Sequence, residues 1–242
     1  MPNIVAFIPA RCGSSRVRNK NIQKLQGQTL IFWTFHQAKQ SGIFSEILLS
    51  TDSSEYENIA MGYGLKTIRR AFPTDNFSPD IDWIKQMMVR MEKFYPKYDY
   101  FAILRPTSPF RKPETIRRAW KKLQEYGEEY DSLKAIIDCP VTPYKIFEIH
   151  RRGDNREYIT PLMKDIEDAY LYPSNTFRAR EFGAQVGFLD ICKWENVEKY
   201  ENHFGKRICP FRVGDMIEAW DINTHLDLDI AEYFIESRKV EL

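Results

Sequence analysis

The chain opens with an apolar stretch that runs directly into a basic loop: Ile4-Val5-Ala6-Phe7-Ile8, then Pro9-Ala10-Arg11-Cys12-Gly13-Ser14-Ser15-Arg16-Val17-Arg18-Asn19-Lys20-Asn21. The apolar residues predict a buried β-strand. The abrupt change to glycine, serine and cationic side chains predicts a loop after that strand, with backbone N–H groups and charges that can hold a polyphosphate. Because open α/β sheets bind ligands outside the carboxyl ends of their strands, this stretch predicts both the fold and the place of the site.

The first half of the chain repeats the order of strand, then helix. Predicted strands cover 4–8, 46–50, 66–69 and 98–104, and the helical patterns that follow them cover 29–41, 54–62, 81–94 and 113–126. Repeated βα units place parallel strands in one sheet with helices on both faces. We therefore predict an α/β fold of three layers (α/β/α), with a mostly parallel, nucleotide-binding sheet of the Rossmann-like type.

The pattern changes after residue 131. Strands are predicted at 132–137 and 183–188 and a last helix after Asp221, whereas residues 139–180 hold four prolines and a polar turn. Prolines and polar turns at this density disfavour helices. We predict one domain over residues 1–242, in which 139–180 is an excursion of hairpins and loops that covers a site or makes a dimer contact.

The overall composition disfavours two classes of partner. The 35 Lys and Arg residues balance the 34 Asp and Glu residues, so no net field attracts nucleic acid or an anionic membrane. No apolar stretch approaches the roughly 20 residues that span a bilayer, and the N-terminus does not resemble a secretion signal. The four cysteines are widely spaced and outside any metal-binding register, which is typical of reduced thiols in a cytoplasmic protein. We expect a small-molecule partner.

The basic loop fits neither of the two standard phosphate-binding motifs, because G-x-x-x-x-G-K-[ST] and G-x-G-x-x-G are both absent near the strand. Its spacing, I-P-A-R-x-G-S-x(5)-K-N over residues 8–21, instead resembles the signature loop of the cytidylyltransferases that activate nonulosonic acids. These are the CMP-sialic acid synthetases, or acylneuraminate cytidylyltransferases. The alternative is a surface turn with solvated arginine and lysine side chains.

This resemblance implies a role for each residue of the loop. It implies that Arg11, Ser14 and Lys20 contact phosphates and that Asn21 lies near the ribose, with Gly13 in the same nucleotide-binding loop. Fixed cations hold the α-phosphorus of a triphosphate in line with an attacking oxygen. Arg11 and Lys20 are therefore also expected to be catalytic.

The loop departs from the family pattern at two places. Ser15 stands where the family often has lysine, and Arg18-Asn19 where it has Pro-Gly. Arg16 or Arg18 can supply the missing charge, and we place Arg16 among the nucleotide-binding residues.

Two segments after the next strands also match the family. Ser50-Thr51-Asp52 is similar to its S-T-D segment, with helix capping as an equally good explanation. An arginine after the third strand, with a nearby Ser/Asp loop, reads the cytosine in the family, so Arg70 and Ser78 are implied as nucleotide-binding. An ordinary βα loop is the alternative there.

A second signature follows the fourth strand. Residues 104–111, L-R-P-T-S-P-F-R, resemble the family's L-x-P-T-S-P-[LF]-R. The resemblance implies that Arg105, Thr107 and Ser108 bind the acceptor, and an arginine where many members have glutamine suits a carboxylate. Residues 142–145 (T-P-Y-K) are similar to the family's H-P-x-K, which implies Lys145 as a phosphate or substrate contact. An ordinary surface lysine is the alternative.

The last motif lies near the C-terminus. Trp220-Asp221-Ile222-Asn223-Thr224 is similar to the family's D-I-D-T, whose carboxylates hold Mg²⁺ beside the triphosphate. Alternation in an extended segment puts Asp221 and Asn223 on one side, and asparagine can offer a neutral carbonyl oxygen. A capping box formed by Thr224 and Asp227 is the alternative, but it leaves Asp221 unexplained. We predict Asp221 as catalytic and as a Mg²⁺ ligand together with Asn223.

The resemblance implies a reaction in which the anomeric hydroxyl of a sialic-acid-like sugar attacks the α-phosphorus of CTP and pyrophosphate leaves. CTP and an acidic sugar are the expected partners, with no nucleic acid and no membrane. A homodimer through residues 139–180 is also implied. Two alternatives stay open: a cytidylyltransferase for another acid such as 3-deoxy-octulosonate, motivated by Arg105, and a nucleotide-binding homologue with impaired catalysis, motivated by Ser15 and Asn223.

Overall fold

A computed structural model describes residues 2–72, 78–92, 97–151, 153, 156–177, 180–240 and 242. The strands are β1 (Ile4–Pro9), β2 (Lys24–Leu25), β3 (Gln28–Thr29), β4 (Glu46–Thr51), β5 (Lys66–Arg69), β6 (Tyr100–Ile103), β7 (Ser132–Asp138), β8 (Phe147–Arg151), β9 (Glu157–Pro161), β10 (Gly183–Lys193) and β11 (Ile208–Arg212). The helices are α1 (Leu30–Ser41), α2 (Ser54–Gly62), α3 (Asp80–Met91), α4 (Pro113–Tyr126), α5 (Asn196–Tyr200) and α6 (His225–Glu236).

A seven-stranded sheet forms the centre of the molecule, in the order β11-β7-β10-β6-β1-β4-β5. Strands β1, β4, β5 and β6 run parallel, and β11 is parallel to β7. Strand β10 is antiparallel to both of its neighbours. The mostly parallel α/β fold predicted from the sequence is confirmed.

Helices cover both faces of this sheet. Along β1, Ile4, Ala6 and Ile8 belong to one core cluster with α1, α2 and α4, while Val5 and Phe7 belong to a second cluster with α3. Successive side chains of a strand point to opposite faces, so β1 is buried on both sides. The strand therefore reads as a continuous apolar run and holds the basic loop rigidly at its end.

The predicted helix boundaries lie close to the observed ones, with small corrections. The helix expected at 81–94 begins at Asp80, because the acids of its first turn suit a helix N-terminus, and it ends at Met91. Residues 93–94 of that prediction lie outside the described part of the chain, as does 73–77 of the loop after β5. The strand expected at 98–104 is shorter, Tyr100–Ile103.

Three features of the second half were not predicted. These are α5, β11 and the extension of β10 to Lys193. Strand β10 carries a register shift between Gln185 and Asp190 in its pairing with β7. Such an irregularity bends a strand and can redirect side chains beside a site, and Gly187 lies within it.

Residues 139–180 contain the hairpin of β8 and β9, which forms a two-stranded sheet of its own, and several single turns of 3₁₀ helix. Large apolar side chains on this segment are exposed, among them Ile149, Ile159 and Leu171. Within the described residues, no helix is both long enough and apolar enough to cross a bilayer.

Candidate active site

A cleft of about 250 Å³ opens at the carboxyl ends of β1, β5 and β6. Most of the sequence-predicted site residues line it: Arg11, Ser14, Arg16, Lys20, Asn21, Arg70, Ser78, Arg105, Thr107, Asp221 and Asn223. A larger cavity of about 880 Å³ is lined by Pro2, Tyr98, Trp194 and neighbours, and no predicted site residue borders it. The site residues predicted from the sequence thus lie mostly in the smaller cleft.

The basic loop after β1 is held in place by its own backbone and by two polar side chains. Asp52 accepts a hydrogen bond from the backbone N–H of Cys12 (2.8 Å), and the amide of Asn21 donates to the carbonyl of Arg11 (3.1 Å). Gly13 has a φ of 72°, a left-handed conformation that glycine adopts without steric cost. Asp52 therefore acts as a tether for the loop, while Ser53 is the residue that caps α2.

Lys20 connects this loop to the C-terminal motif. Its ammonium donates to the carbonyl of Ile222 (2.9 Å) and lies 3.5 Å from Asn223 Oδ1, which also accepts from Arg16 (3.2 Å). Burial lowers the pKa of Lys20, and the Asp221 carboxylate opposes that shift. Two cations from the start of the chain thus contact the C-terminal segment that carries Asp221.

The two carboxylate oxygens of Asp221 differ in their surroundings. Its Oδ2 accepts from the amide of Asn223 (2.7 Å), whereas Oδ1 is buried and has no hydrogen-bond partner among the described residues. A buried carboxylate oxygen without a partner is costly unless a ligand satisfies it. Since no group of three acidic, His or Cys side chains in the described ranges could hold an ion, a cation at Asp221 would need further oxygens, and Mg²⁺ commonly takes them from phosphates and water.

The capping box is also present, and it uses other residues. Thr224 accepts from the backbone of Asp227, and Asp227 accepts from the backbone of Thr224 and of Asn223. The capping box therefore fixes the start of α6, and Asp221 takes no part in it. It accounts for Thr224 and Asp227 and does not account for Asp221.

Arg70 lies in the wall of the cleft. It donates to the hydroxyl of Ser50 (3.0 Å) and to the carbonyl of the same residue (3.3 Å), and its guanidinium lies 5.4 Å from the centre of the Trp83 ring. Burial lowers the pKa of Arg70 to about 10. Ser78 borders the same cleft.

Arg105 forms an ion pair with Asp80, at the start of α3. Asp80 also accepts from the indole N–H of Trp83 (2.9 Å). Burial lowers the pKa of Arg105, but the Asp80 carboxylate outweighs it and leaves that pKa raised. The same pairing outweighs burial at Asp80 and lowers its pKa. Both groups are therefore charged, and Arg105 is already paired with one carboxylate, that of Asp80.

Arg111 fixes the loop that carries Arg105. It is 1% exposed and donates to the carbonyls of Phe188 (2.7 Å) and Arg105 (2.9 Å) and to Gln37 Oε1 (3.3 Å). Burial lowers its pKa to about 9. It cross-links the loop after β6 to β10 and α1.

Three predicted residues do not line the cleft. Gly13 shapes the loop, and the buried Ser108 donates to the carbonyl of Gly187 (3.3 Å). Lys145 donates to the carbonyl of Tyr170, within the excursion. Conversely, sequence reasoning assigned no role to Asp80 or Trp83, which do line the cleft, because an acid in the first turn of a helix is ordinarily explained by the helix dipole alone.

Comparison with known proteins shows the family of the chain. The model of a cytidylyltransferase family matches residues 5–203. A CMP-N,N'-diacetyllegionaminic acid synthase of Legionella pneumophila is 28% identical over 236 residues, covering 96% of each chain. An N-acylneuraminate cytidylyltransferase of Escherichia coli is 37% identical over 135 residues, 55% of this chain and 31% of that protein.

Among solved structures, a CMP:2-keto-3-deoxy-manno-octonic acid synthetase complexed with CTP superposes with a TM-score of 0.69. The alignment covers 98% of this chain and 99% of the other at 17% identity. At that identity the likeness concerns the fold, which it supports over the whole length of the chain.

Proposed function

The chain belongs to the cytidylyltransferase family, and we propose that it transfers CMP from CTP to the anomeric hydroxyl of a nonulosonic, sialic-acid-like sugar. The observation that carries the proposal is the meeting of the basic loop with the C-terminal motif, in which Lys20 and Arg16 contact residues 222–223 beside Asp221. The legionaminic acid synthase that aligns along nearly the full chain supports the choice of acceptor class.

In the proposed reaction the anomeric oxygen forms a bond to the α-phosphorus, and the bond from that phosphorus to the β-phosphate oxygen breaks. Pyrophosphate carries away the bonding electrons, and the hydroxyl proton passes to water. Arg11, Arg16 and Lys20 stabilise the negative charge that grows on the leaving group. Arg70 and Ser78 hold the base end of the nucleotide.

We propose Mg²⁺ as the cofactor, with Asp221 Oδ1 as its main protein ligand and Asn223 as a neutral one. When bound, the ion supplies positive charge to the triphosphate and the departing pyrophosphate. The buried, unpartnered oxygen of Asp221 supports this assignment.

We further propose that the enzyme acts in the cytoplasm as a homodimer. All four cysteines are free thiols, and the donor CTP is an intracellular nucleotide. The exposed apolar side chains on residues 139–180 support a contact between two copies through that segment.

The test is pyrophosphate release from CTP with a panel of acidic sugars. We expect turnover with nine-carbon acids of the sialic and legionaminic type. Turnover with 3-deoxy-octulosonate alone would show that the acceptor is a different acid. CTP binding without turnover of any acceptor, with Asn223→Asp restoring activity, would indicate an impaired homologue.

Lys20→Ala tests the site itself. Loss of this cation should lower turnover on the order of 10²-fold with the fold unchanged, because charge stabilisation in the transition state is lost. Lys24→Ala is the matched control, since Lys24 is exposed and does not border the cleft. Near-normal turnover of Lys20→Ala would remove Lys20 from the mechanism.

A further inference from the structure

Three carboxylates lie near Arg105. Its guanidinium pairs with Asp80, and the carboxylates of Asp190 and Asp221 also act on it electrostatically. Asp190 is itself paired with Lys134 at 3.4 Å. A further carboxylate brought to Arg105 would meet repulsion from Asp80 at contact distance, which offsets the attraction of the arginine.

The pair is nevertheless accessible from the cleft. The side chains of Arg105 and Asp80 are 28% and 29% exposed, and both line the cavity that holds Lys20 and Asp221. A guanidinium with N–H groups to spare next to a carboxylate with lone pairs to spare is a donor and an acceptor side by side, with no net charge.

The sheet order separates Arg105 from the nucleotide-binding loops, whereas Asp80 follows β5, as Arg70 does, and reaches Arg105 from that side. The basic loop follows β1 and Arg70 follows β5, whereas Arg105 follows β6, on the other side of β1 and next to β10. A Cβ atom on Gly187 of β10 would lie 3.1 Å from Arg105 Cδ and 3.4 Å from Asp221 Oδ1. The stem of Arg105 and the Asp221 carboxylate thus lie against the same strand, beside the proposed site of CMP transfer.

We propose that Asp80 and Arg105 act together as a neutral specificity pair for the acceptor. The pair contacts an uncharged substituent that both donates and accepts hydrogen bonds, an acylamino or hydroxyl group, and the acceptor carboxylate binds elsewhere. This inference rests on the proposed cytidylyl transfer and assigns to Asp80 a role that the sequence did not indicate. It also changes the expectation that Arg105 binds the acceptor carboxylate.

The sign of two mutational effects tests the proposal. Both Asp80→Asn and Arg105→Gln should raise the KM for the acceptor about tenfold, while the Kd for CTP, measured by calorimetry without acceptor, changes less than twofold. If Arg105 instead bound the acceptor carboxylate, Asp80→Asn would remove a competing anion and lower that KM while Arg105→Gln raised it. Opposite signs would therefore overturn the proposal.

The double variant gives a second readout. Asp80→Asn/Arg105→Gln restores an uncharged donor and acceptor pair, so its acceptor KM should lie well below the product of the two single effects. Asp82→Asn removes a charge from the same exposed helix turn without bordering the cleft and should behave as the wild type.

Two other outcomes count against the proposal in different ways. A weaker Kd for CTP in both single variants would place the pair in the nucleotide site and overturn it while cytidylyl transfer stands. Absence of wild-type turnover with every acceptor, despite CTP binding, would overturn the proposed function and the acceptor role with it.

Discussion

His203 is half-buried and lies within electrostatic range of two residues of the cleft, Asp80 and Arg105. Its ring contacts Phe204, with 4.1 Å between the ring centres, and its Nε2 is buried without a hydrogen-bond partner among the described residues. Lys134, which pairs with Asp190, lies 3.9 Å from the centre of the same Phe204 ring. Desolvation lowers the pKa of His203 to about 4, so the imidazole is neutral in the folded protein.

This lowered pKa predicts sensitivity to mild acid. The charged groups that act on the ring are Asp80, Lys134 and Arg105, and only Asp80 favours its protonation. Between pH 6.5 and about 4 the unfolded chain binds a proton at His203 that the folded chain does not. The free energy of unfolding therefore falls as the pH falls through that window, by at most about 1.4 kcal/mol per pH unit from this residue.

His203→Gln should reduce that dependence, measured by urea denaturation at several values between pH 7 and pH 4.5. The slope of the variant must be compared with that of the wild type, because other groups also contribute to it. Burial raises the pKa of Asp190, and that shift makes the free energy of unfolding rise as the pH falls. His225→Gln, which removes an exposed imidazole, is the matched control. An unchanged slope in His203→Gln would mean that this ring is protonated in the folded state.

At the scale of elements, the basic loop derives its shape from a neighbouring strand. Asp52 follows β4 and accepts a hydrogen bond from the backbone N–H of Cys12, so the S-T-D segment positions the loop. Desolvation and the nearby Asp52 carboxylate raise the pKa of the Cys12 thiol. The reactivity of the Cys12 thiol therefore reports whether the Asp52 carboxylate lies beside the loop.

Substitution of Asp52 should separate the hydrogen bond from the charge. Asp52→Ala removes both and should weaken CTP binding about fivefold, the effect of about 1 kcal/mol for one lost hydrogen bond. Asp52→Asn keeps an acceptor oxygen and should bind CTP nearly as the wild type does. In both variants iodoacetamide should alkylate Cys12 faster at pH 8, as followed by peptide mass spectrometry. Equal CTP affinity in Asp52→Ala and the wild type would refute the tether.

Buried parallel strands were predictable from the sequence, whereas the edge strand β11 and the direction of β10 were not. Strand β1 and its parallel neighbours are buried on both faces, so their apolar runs stand out, and the loops after them were correctly expected to share one edge of the sheet. Strand β11 carries Pro210 at the edge of the sheet, where a missing N–H is tolerated but the pattern no longer looks like a strand. The antiparallel direction of β10 depends on the path of the chain and leaves no trace in its own residues.

The residues of the cleft that lie in loops at strand ends were predictable from the sequence, and the Asp80–Arg105 contact was not. Residues in recognisable loops, such as Lys20 and Asp221, could be paired in advance, because loops at strand ends converge. The contact of Asp80 with Arg105 joins a helix start to a different loop, 25 positions apart. Its partner choice depends on how α3 packs on the sheet, which local patterns do not specify.

At the scale of the whole molecule, residues 139–180 expose several large apolar side chains. Ile149 on β8 and Ile159 on β9 are register partners in the hairpin and are 66% and 58% exposed. A two-stranded hairpin is marginally stable alone, and this one is not hydrogen-bonded to the central sheet. A second copy of the chain would bury this apolar pair.

Ile149→Glu should therefore convert the proposed dimer to a monomer. Sedimentation velocity should give twice the 28.7 kDa chain mass for the wild type and a single chain mass for the variant, because a charge placed in an apolar contact is costly to desolvate. Met61→Glu, which changes an equally exposed side chain on α2, should leave the mass unchanged. Since residue 149 lies outside the cleft, the monomeric variant should still bind CTP. A wild-type protein that sediments as a monomer at micromolar concentration would contradict the dimer, and a dimeric Ile149→Glu would place its contact on another face.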